Sequence, residues 1–235
     1  MTKIYCAIDT PDLSKAVFLS CAVVEAGCGL KLGLEFFSSH GESGVQSIRN
    51  ACPDAPIFLD LKFHDIPNTV AGALRAVTRL GIAYVNVHAS GGSSMMRFGL
   101  DALREESVTL GVAAPKLLAV TVLTSMDENE ISNVGQSLPI EDQVLRLAKL
   151  TKECGLDGVV CSAKEISFLR QNLGQDFVLM VPGVRPAGSD LGDQKRVLTP
   201  REAIDRGASH LVIGRPITQA DDPAKAAADI LSSLL

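Results

Sequence analysis

Asp60 and Lys62 stand two residues apart in the run Asp-Leu-Lys-Phe-His-Asp-Ile-Pro-Asn-Thr, residues 60–69, with Asp65 three residues further on. Side chains two apart on an extended strand project to the same face, so Asp60 and Lys62 point together while Leu59 and Leu61 point the other way. A carboxylate beside an ammonium in an enclosed pocket can stabilise charge that develops on a bound molecule, and the ammonium can also deliver a proton. Lys31, in the preceding strand-like run, extends the row, and Asp65 adds a second carboxylate from the loop. The same residues could instead form an ion network that only closes the top of the fold. Desolvating each ion costs several kcal/mol, and an apolar plug is often at least as stable. Four such charges in one pocket therefore favour a functional reading.

A second group of residues has a different chemistry. Val-Pro-Gly-Val-Arg ends at Arg185, Gln194 follows, and Ile-Gly-Arg-Pro contains Gly214 and Arg215. Glycine frees backbone N–H groups to face an anion, and a guanidinium beside them matches a phosphate. The alternative is that these glycines only turn the chain and Arg215 is a surface charge. The two segments are read as a phosphate site because they fall after consecutive strands. His64 and His88 are each more simply read as hydrogen-bonded structural residues, and neither is assigned a role in catalysis. Gly91-Gly92 is too short a motif to identify an anion site.

The elements that must carry these residues are βα units. Short β-branched or apolar runs at 4–9, 29–33, 57–62, 84–88, 117–124, 158–162, 178–182 and 210–214 are each followed by a segment of helical periodicity. Residues 70–80 place Val70, Ala73, Leu74 and Val77 on one stripe, and residues 142–154 do the same with Val144, Leu147, Ala148 and Thr151. Eight such units predict a single (β/α)8 TIM barrel over residues 1–235, a fold that commonly takes about 250 residues. Reactive groups on that fold gather at the carboxyl ends of the strands, where Asp9, Lys31, Asp60, Lys62, Asn86, His88, Thr121 and Thr124 all fall. The phosphate-type loops then follow strands seven and eight. Residues 183–198 form the longest stretch without periodicity, and a loop of that length in a compact domain is usually functional.

Composition narrows the partners. A net charge of -5 offers no basic surplus for nucleic acid or an anionic membrane, and tryptophan is absent. No apolar run reaches membrane length and the first residues carry no signal-peptide pattern, so a cytoplasmic location is expected. The cysteines at 6, 21, 28, 52, 154 and 161 include no C-x-x-C pair and no histidine completes a zinc pattern. They are read as buried reduced thiols, with no metal and no cofactor expected.

Taken in order, D-L-K-F-H-D-I-P-N-T, N-V-H-A-S-G-G, A-V-T-V-L-T-S-M, G-V-V-C-S-A, P-G-V-R-P and V-I-G-R-P resemble the orotidine 5'-monophosphate decarboxylases over nearly the whole chain. A bare D-x-K-x-x-D is shared with sugar-phosphate decarboxylases and aldolases, whereas the ten-residue run is similar to this family alone. The resemblance implies decarboxylation of orotidine 5'-monophosphate to uridine 5'-monophosphate, the last step of pyrimidine nucleotide synthesis, without a cofactor. It implies that Asp9 and Lys31 contact ribose hydroxyls, Asp60 faces the departing carboxylate, and Lys62 donates the replacing proton. Thr124 is implied to position the pyrimidine, and Arg185, Gln194, Gly214 and Arg215 to bind phosphate. A homodimer is implied, with Asp65 and Thr69 reaching into the partner's site. Two other readings remain open from the residues themselves: a magnesium-dependent sugar-phosphate enzyme, and a phosphate-ligand sensor that kept the barrel without turnover.

Overall fold

The computed structural model describes residues 2–136, 139–186 and 198–234. The strands β1 (Ile4–Ile8), β2 (Gly29–Leu32), β3 (Ile57–Phe63), β4 (Tyr84–His88), β5 (Lys116–Val120), β6 (Gly158–Val160), β7 (Val178–Pro182) and β8 (His210–Ile213) are parallel and close into a barrel. Closure is made by β1, which pairs with β2 on one side and β8 on the other. Helices lie between consecutive strands, as the sequence periodicity predicts for a (β/α)8 barrel.

The boundaries differ where side-chain pattern and backbone pairing part company. The apolar and β-branched run at 117–124 predicts a strand to Thr124, but β5 ends at Val120 and Thr124 lies beyond it in a turn. β-Propensity extends through Thr121 and Val122, while ladder partners on β6 end at Val160. The helix expected at 70–80 runs from Pro67 to Thr78. Proline suits a first helical position, where its missing N–H costs nothing, so this helix begins ahead of its apolar stripe.

The core has two parts. Alternate strand residues such as Ile4, Leu30, Leu59 and Val85 face outward to the helices and are fully buried. Inside the barrel Tyr5, Phe58, Tyr84, Leu118, Met180 and Val212 fill the interior. The Tyr5 ring meets Phe58 and Tyr84 edge to face, at centroid separations of 6.4 and 5.7 Å, a favoured aromatic geometry. His210 Nδ1 lies 2.7 Å from the carbonyl oxygen of Thr2 and so donates to it, which leaves Nε2 to accept from the Tyr84 hydroxyl at 2.9 Å. These contacts plug the amino end of the barrel and leave its carboxyl end open as a pocket.

Outside the barrel, Arg170 ties the turns around β7 and β8 together. Its guanidinium donates to the carbonyl oxygens of Gly207 at 2.6 Å, Gly174 at 2.9 Å and Phe177 at 2.5 Å, and to Ser209 Oγ at 2.8 Å. Five of the cysteines are buried as expected, but Cys21 is exposed, because it lies on the outer side of the helix Leu13–Glu25. Among the described residues, no helix is long and apolar enough to cross a membrane.

Candidate active site

Four charged side chains form a continuous row across the mouths of β1, β2 and β3. Lys31 Nζ lies 3.1 Å from Asp9 Oδ1 and 3.5 Å from Asp60 Oδ2, and Lys62 Nζ lies 2.7 Å from Asp60 Oδ1. Charges therefore alternate in sign from Asp9 to Lys62. The side chains of Lys31 and Asp60 keep only 9% and 12% of their exposure, whereas Asp9 at 49% forms the solvent end of the row. Gly33 makes the close packing possible. A Cβ there would stand 2.9 Å from both Asp9 Oδ1 and Lys31 Nζ, so any side chain would force the pair apart.

Lys62 reaches this row through an irregularity that the two-residue spacing does not reveal. Leu59 pairs with Val85 and Phe63 with Val87, so four steps along β3 are matched by only two along β4. Within this bulge Lys62 adopts φ 51, and among the described residues it alone has positive φ without being glycine. Its backbone N–H leaves the ladder and donates to Asn86 Oδ1 at 2.8 Å, while Asn86 Nδ2 donates to Asp60 Oδ1 at 2.7 Å. A backbone donor on one side and a carboxylate on the other fix which end of the amide is which. Asn86 is fully buried, and through these two bonds it holds both members of the Asp60–Lys62 pair. Its place at the carboxyl end of strand four was visible in the sequence, but only the bulge gives it this task.

The electrostatics follow from the geometry. Burial pushes the Asp60 carboxyl up, but the ammonium groups of Lys31 and Lys62, with hydrogen bonds from Lys62 and Asn86, outweigh it and hold the group below its ordinary range. Asp60 is therefore ionised at neutral pH. His88 is shifted down, first by burial and then by His64 and Lys62, against an opposing pull from Asp60. The rings of His64 and His88 lie 5.4 Å apart.

The opposite wall is built by the loops after β7 and β8. Gly183 has φ 78, a left-handed conformation that glycine adopts without strain, and it turns the chain toward Arg185. The Arg185 backbone N–H donates to the carbonyl of Leu198 at 3.2 Å, joining the two described ends of the predicted long loop. Gly214 precedes the short helix Arg215–Thr218, and Arg215 is exposed beside it. A cavity of about 360 Å³ is lined on one side by Asp9, Lys31, Asp60 and Lys62 and on the other by Thr124, Arg185, Gly214 and Arg215. The structure thus brings together eight residues that the sequence picked out. Gln194 lies outside the described residues.

Asp65 and Thr69 are not in this cavity. The spacing puts Asp65 in the same pocket as Asp60 and Lys62, but in the chain's own barrel it is exposed and accepts from the N–H of Ile66 at 2.6 Å. The helix Pro67–Thr78 begins immediately afterwards and turns the segment outward, so Thr69 is exposed as well. Among the described residues, no group of three or more His, Cys, Asp or Glu side chains is arranged to hold a metal ion.

A closed parallel β/α barrel with a charged pocket at the carboxyl ends of its strands and glycine-arginine loops after the last two strands is the architecture of a barrel protein that takes a small anionic ligand. The family can be named more closely from comparison with known proteins. The chain belongs to the Orotidine 5'-phosphate decarboxylase / HUMPS family, whose model matches residues 2–230. It is 54% identical over 224 residues to the orotidine 5'-phosphate decarboxylase of Rhodospirillum rubrum, covering 95% of this chain and 90% of that protein. With the protein of the same name from Paramagnetospirillum magneticum it shares 48% identity over 234 residues, covering 100% and 99%. The crystal structure of orotidine 5'-phosphate decarboxylase from Lactobacillus acidophilus superposes with a TM-score of 0.87 at 38% identity, covering 100% of this chain and 99% of that one.

Proposed function

We propose that this chain is an orotidine 5'-monophosphate decarboxylase (EC 4.1.1.23) that releases carbon dioxide and forms uridine 5'-monophosphate, using Lys62 as the proton donor. The observation that carries the reading is the row Asp9, Lys31, Asp60 and Lys62 at the open end of the barrel, with Asp60 kept ionised between two ammonium groups. In this reading the C6–carboxylate bond of the substrate breaks beside Asp60, whose negative charge disfavours the bound carboxylate. The electron pair stays on C6, in the ring plane, where no adjacent carbonyl accepts it. Lys62 Nζ offers positive charge at that position and then its proton, which is electrostatic preorganisation followed by general-acid delivery.

One charge pair at about 4 Å contributes roughly 4 kcal/mol at an effective dielectric of 20, whereas the largest part of the known enzymatic range demands up to about 23 kcal/mol. Lys62 alone does not supply that. The rest is assigned to binding energy from the parts of the substrate that do not react. Asp9 and Lys31 hold ribose hydroxyls, Thr124 orients the pyrimidine, and Arg185, Gln194, Gly214 and Arg215 grip the phosphate. Closure of residues 183–198 over that phosphate would shut water out of the site.

No metal or other cofactor is called for, because lysines stand at ion-pair distance from both oxygens of Asp60, where a divalent cation would otherwise neutralise it. Residues 1–235 act as one catalytic domain in a cytoplasmic homodimer, with Asp65 and Thr69 completing the neighbour's site. The shared site is supported by the exposure of both residues and by their position outside the chain's own cavity. The test is a spectrophotometric assay with orotidine 5'-monophosphate, before and after exhaustive chelation and with Lys62→Ala. Turnover that survives chelation and is abolished by Lys62→Ala is expected. Turnover that is lost on chelation and restored by magnesium would move the chain to the metal-dependent sugar-phosphate class, and tight nucleotide binding without turnover would make it a sensor.

A further inference from the structure

The two sulfurs of Cys21 and Cys52 lie 3.6 Å apart, and neither residue lines the charged cavity. They belong to different elements of the outer ring. Cys21 is exposed on the helix Leu13–Glu25, and Cys52 is the buried residue that follows the helix Leu34–Ala51. Cys52 and the turn after it lead from that helix into β3, which puts the pair toward the amino ends of the strands, opposite the pocket. In this barrel architecture that end governs stability and the carboxyl end carries the chemistry.

We propose that Cys21 and Cys52 are a dithiol modification site, which a peroxide-class oxidant converts into an intrachain disulfide that staples two outer helices without altering the pocket. Three features support this. The sulfurs are already in van der Waals contact, and a disulfide of about 2.05 Å needs them to close by roughly 1.5 Å. Cys52 has left the helix, with φ -134 and ψ 70, so the closure falls on a turn and not on a packed helical segment. The two thiols are also unlike in access. Cys21 is open to a solvent oxidant, whereas Cys52 is 5% exposed with its sulfur against that of Cys21. Burial, the hydrogen bond with Cys21 and its field push the Cys52 thiol up to about 11 against the pull of Arg49, so it remains protonated and does not compete for the oxidant.

The chemistry then has two steps. The Cys21 thiolate attacks one peroxide oxygen, the O–O bond breaks, and the departing hydroxide takes up a proton, leaving Cys21 as a sulfenic acid and one water. Cys52 sulfur next attacks Cys21 sulfur, giving up its proton as the hydroxyl leaves as a second water. Two thiols are oxidised by two electrons in all, and one peroxide is reduced to two waters. Proximity makes the second step intramolecular, which offsets the small thiolate fraction of Cys52.

The experiment treats the reduced full-length protein with hydrogen peroxide, removes the oxidant, unfolds the chain in guanidinium chloride with iodoacetamide present so that the buried thiols are also alkylated, and maps the peptides by mass. A linked peptide containing Cys21 and Cys52, lighter by two hydrogens, is expected, together with alkylation at Cys6, Cys28, Cys154 and Cys161. Dithiothreitol should reverse it. The oxidised form should melt roughly 5–10 °C higher than the reduced form, because the link constrains the unfolded chain. Cys21→Ser, a change at an exposed position, should keep wild-type turnover and lose both the link and the shift. Recovery of Cys21 as sulfinic acid with Cys52 still alkylated would overturn the proposal, as would a Cys21 disulfide between two chains.

Discussion

Replacing Asp60 with Asn tests whether the charged row is held together by net attraction or only tolerated by the fold. The amide keeps the shape of the carboxylate but leaves Lys31 and Lys62 facing each other with no anion between them. At the observed 2.7 and 3.5 Å, the two attractions are worth about 6 and 5 kcal/mol gross at an effective dielectric near 20. Desolvation of the ions returns several kcal/mol of this. The direction of the balance comes from the carboxyl itself, which sits below its ordinary range despite burial. Asp60→Asn should therefore cost about 3–5 kcal/mol, the usual penalty for breaking a buried pair by removing one partner. In a chain of this size that lowers the melting temperature by roughly 6–20 °C. The dependence on pH gives a second check. A carboxyl whose folded value is depressed contributes stability that is complete above the unfolded value of about 3.9 and is lost as pH falls through the folded one. The gap between wild type and variant should accordingly be constant from pH 7 to 5 and shrink below about pH 4. Urea unfolding at a series of pH values measures it. A variant as stable as wild type at pH 7 would falsify the claim that the ionised row is net stabilising, and would mean that desolvation wins.

Three further outcomes are expected. Arg215→Ala should raise KM and also lower kcat for orotidine 5'-monophosphate, because the phosphate grip is used to assemble the closed site; steady-state kinetics that showed a change in KM alone would reduce that grip to uniform binding. Arg170→Ala should destabilise the protein by at least about 3 kcal/mol, since several carbonyls lose their donor together, and leave KM unchanged, as urea midpoints and kinetics would show. Refolding Lys62→Ala together with Asp65→Ala should restore about a quarter of wild-type activity, because about half of the dimers are then mixed and each mixed dimer has one intact site. Mixed dimers that remain as inactive as the parents would place Asp65 in its own subunit's chemistry.

The sequence made the barrel legible because each strand is followed by a helical stripe, and the alternation of Leu59, Asp60, Leu61 and Lys62 assigned inward and outward faces correctly. It also brought the loops at Arg185 and Arg215 to one cavity, since they follow consecutive strands. Periodicity failed where hydrogen bonding decides. β5 stops short of Thr124 because its ladder partners run out, and Asp65 leaves the row because a proline-initiated helix starts directly after it. Asn86 and Gly33 went unassigned for a related reason. Their parts in the site depend on atoms from neighbouring strands, which no spacing within a single strand encodes.

The bulge at Lys62 connects these observations. Holding a side chain other than glycine in the left-handed region costs of order 1–3 kcal/mol, and such strain persists only where the surroundings over-determine it. Here Asn86 receives the displaced N–H, Asp60 receives both the amide of Asn86 and the ammonium of Lys62, and Lys31 balances the remaining carboxylate oxygen. A regular strand would have returned the Lys62 N–H to the β4 ladder and left the buried Asn86 oxygen without this donor, a loss of about 1–3 kcal/mol that is comparable with the strain. The distorted arrangement is thus stable as a set and unstable in part. That interdependence explains how a lysine can be kept at a strained position beside a buried carboxylate, and it makes Asn86 the residue whose loss should disturb Lys62 without touching its charge.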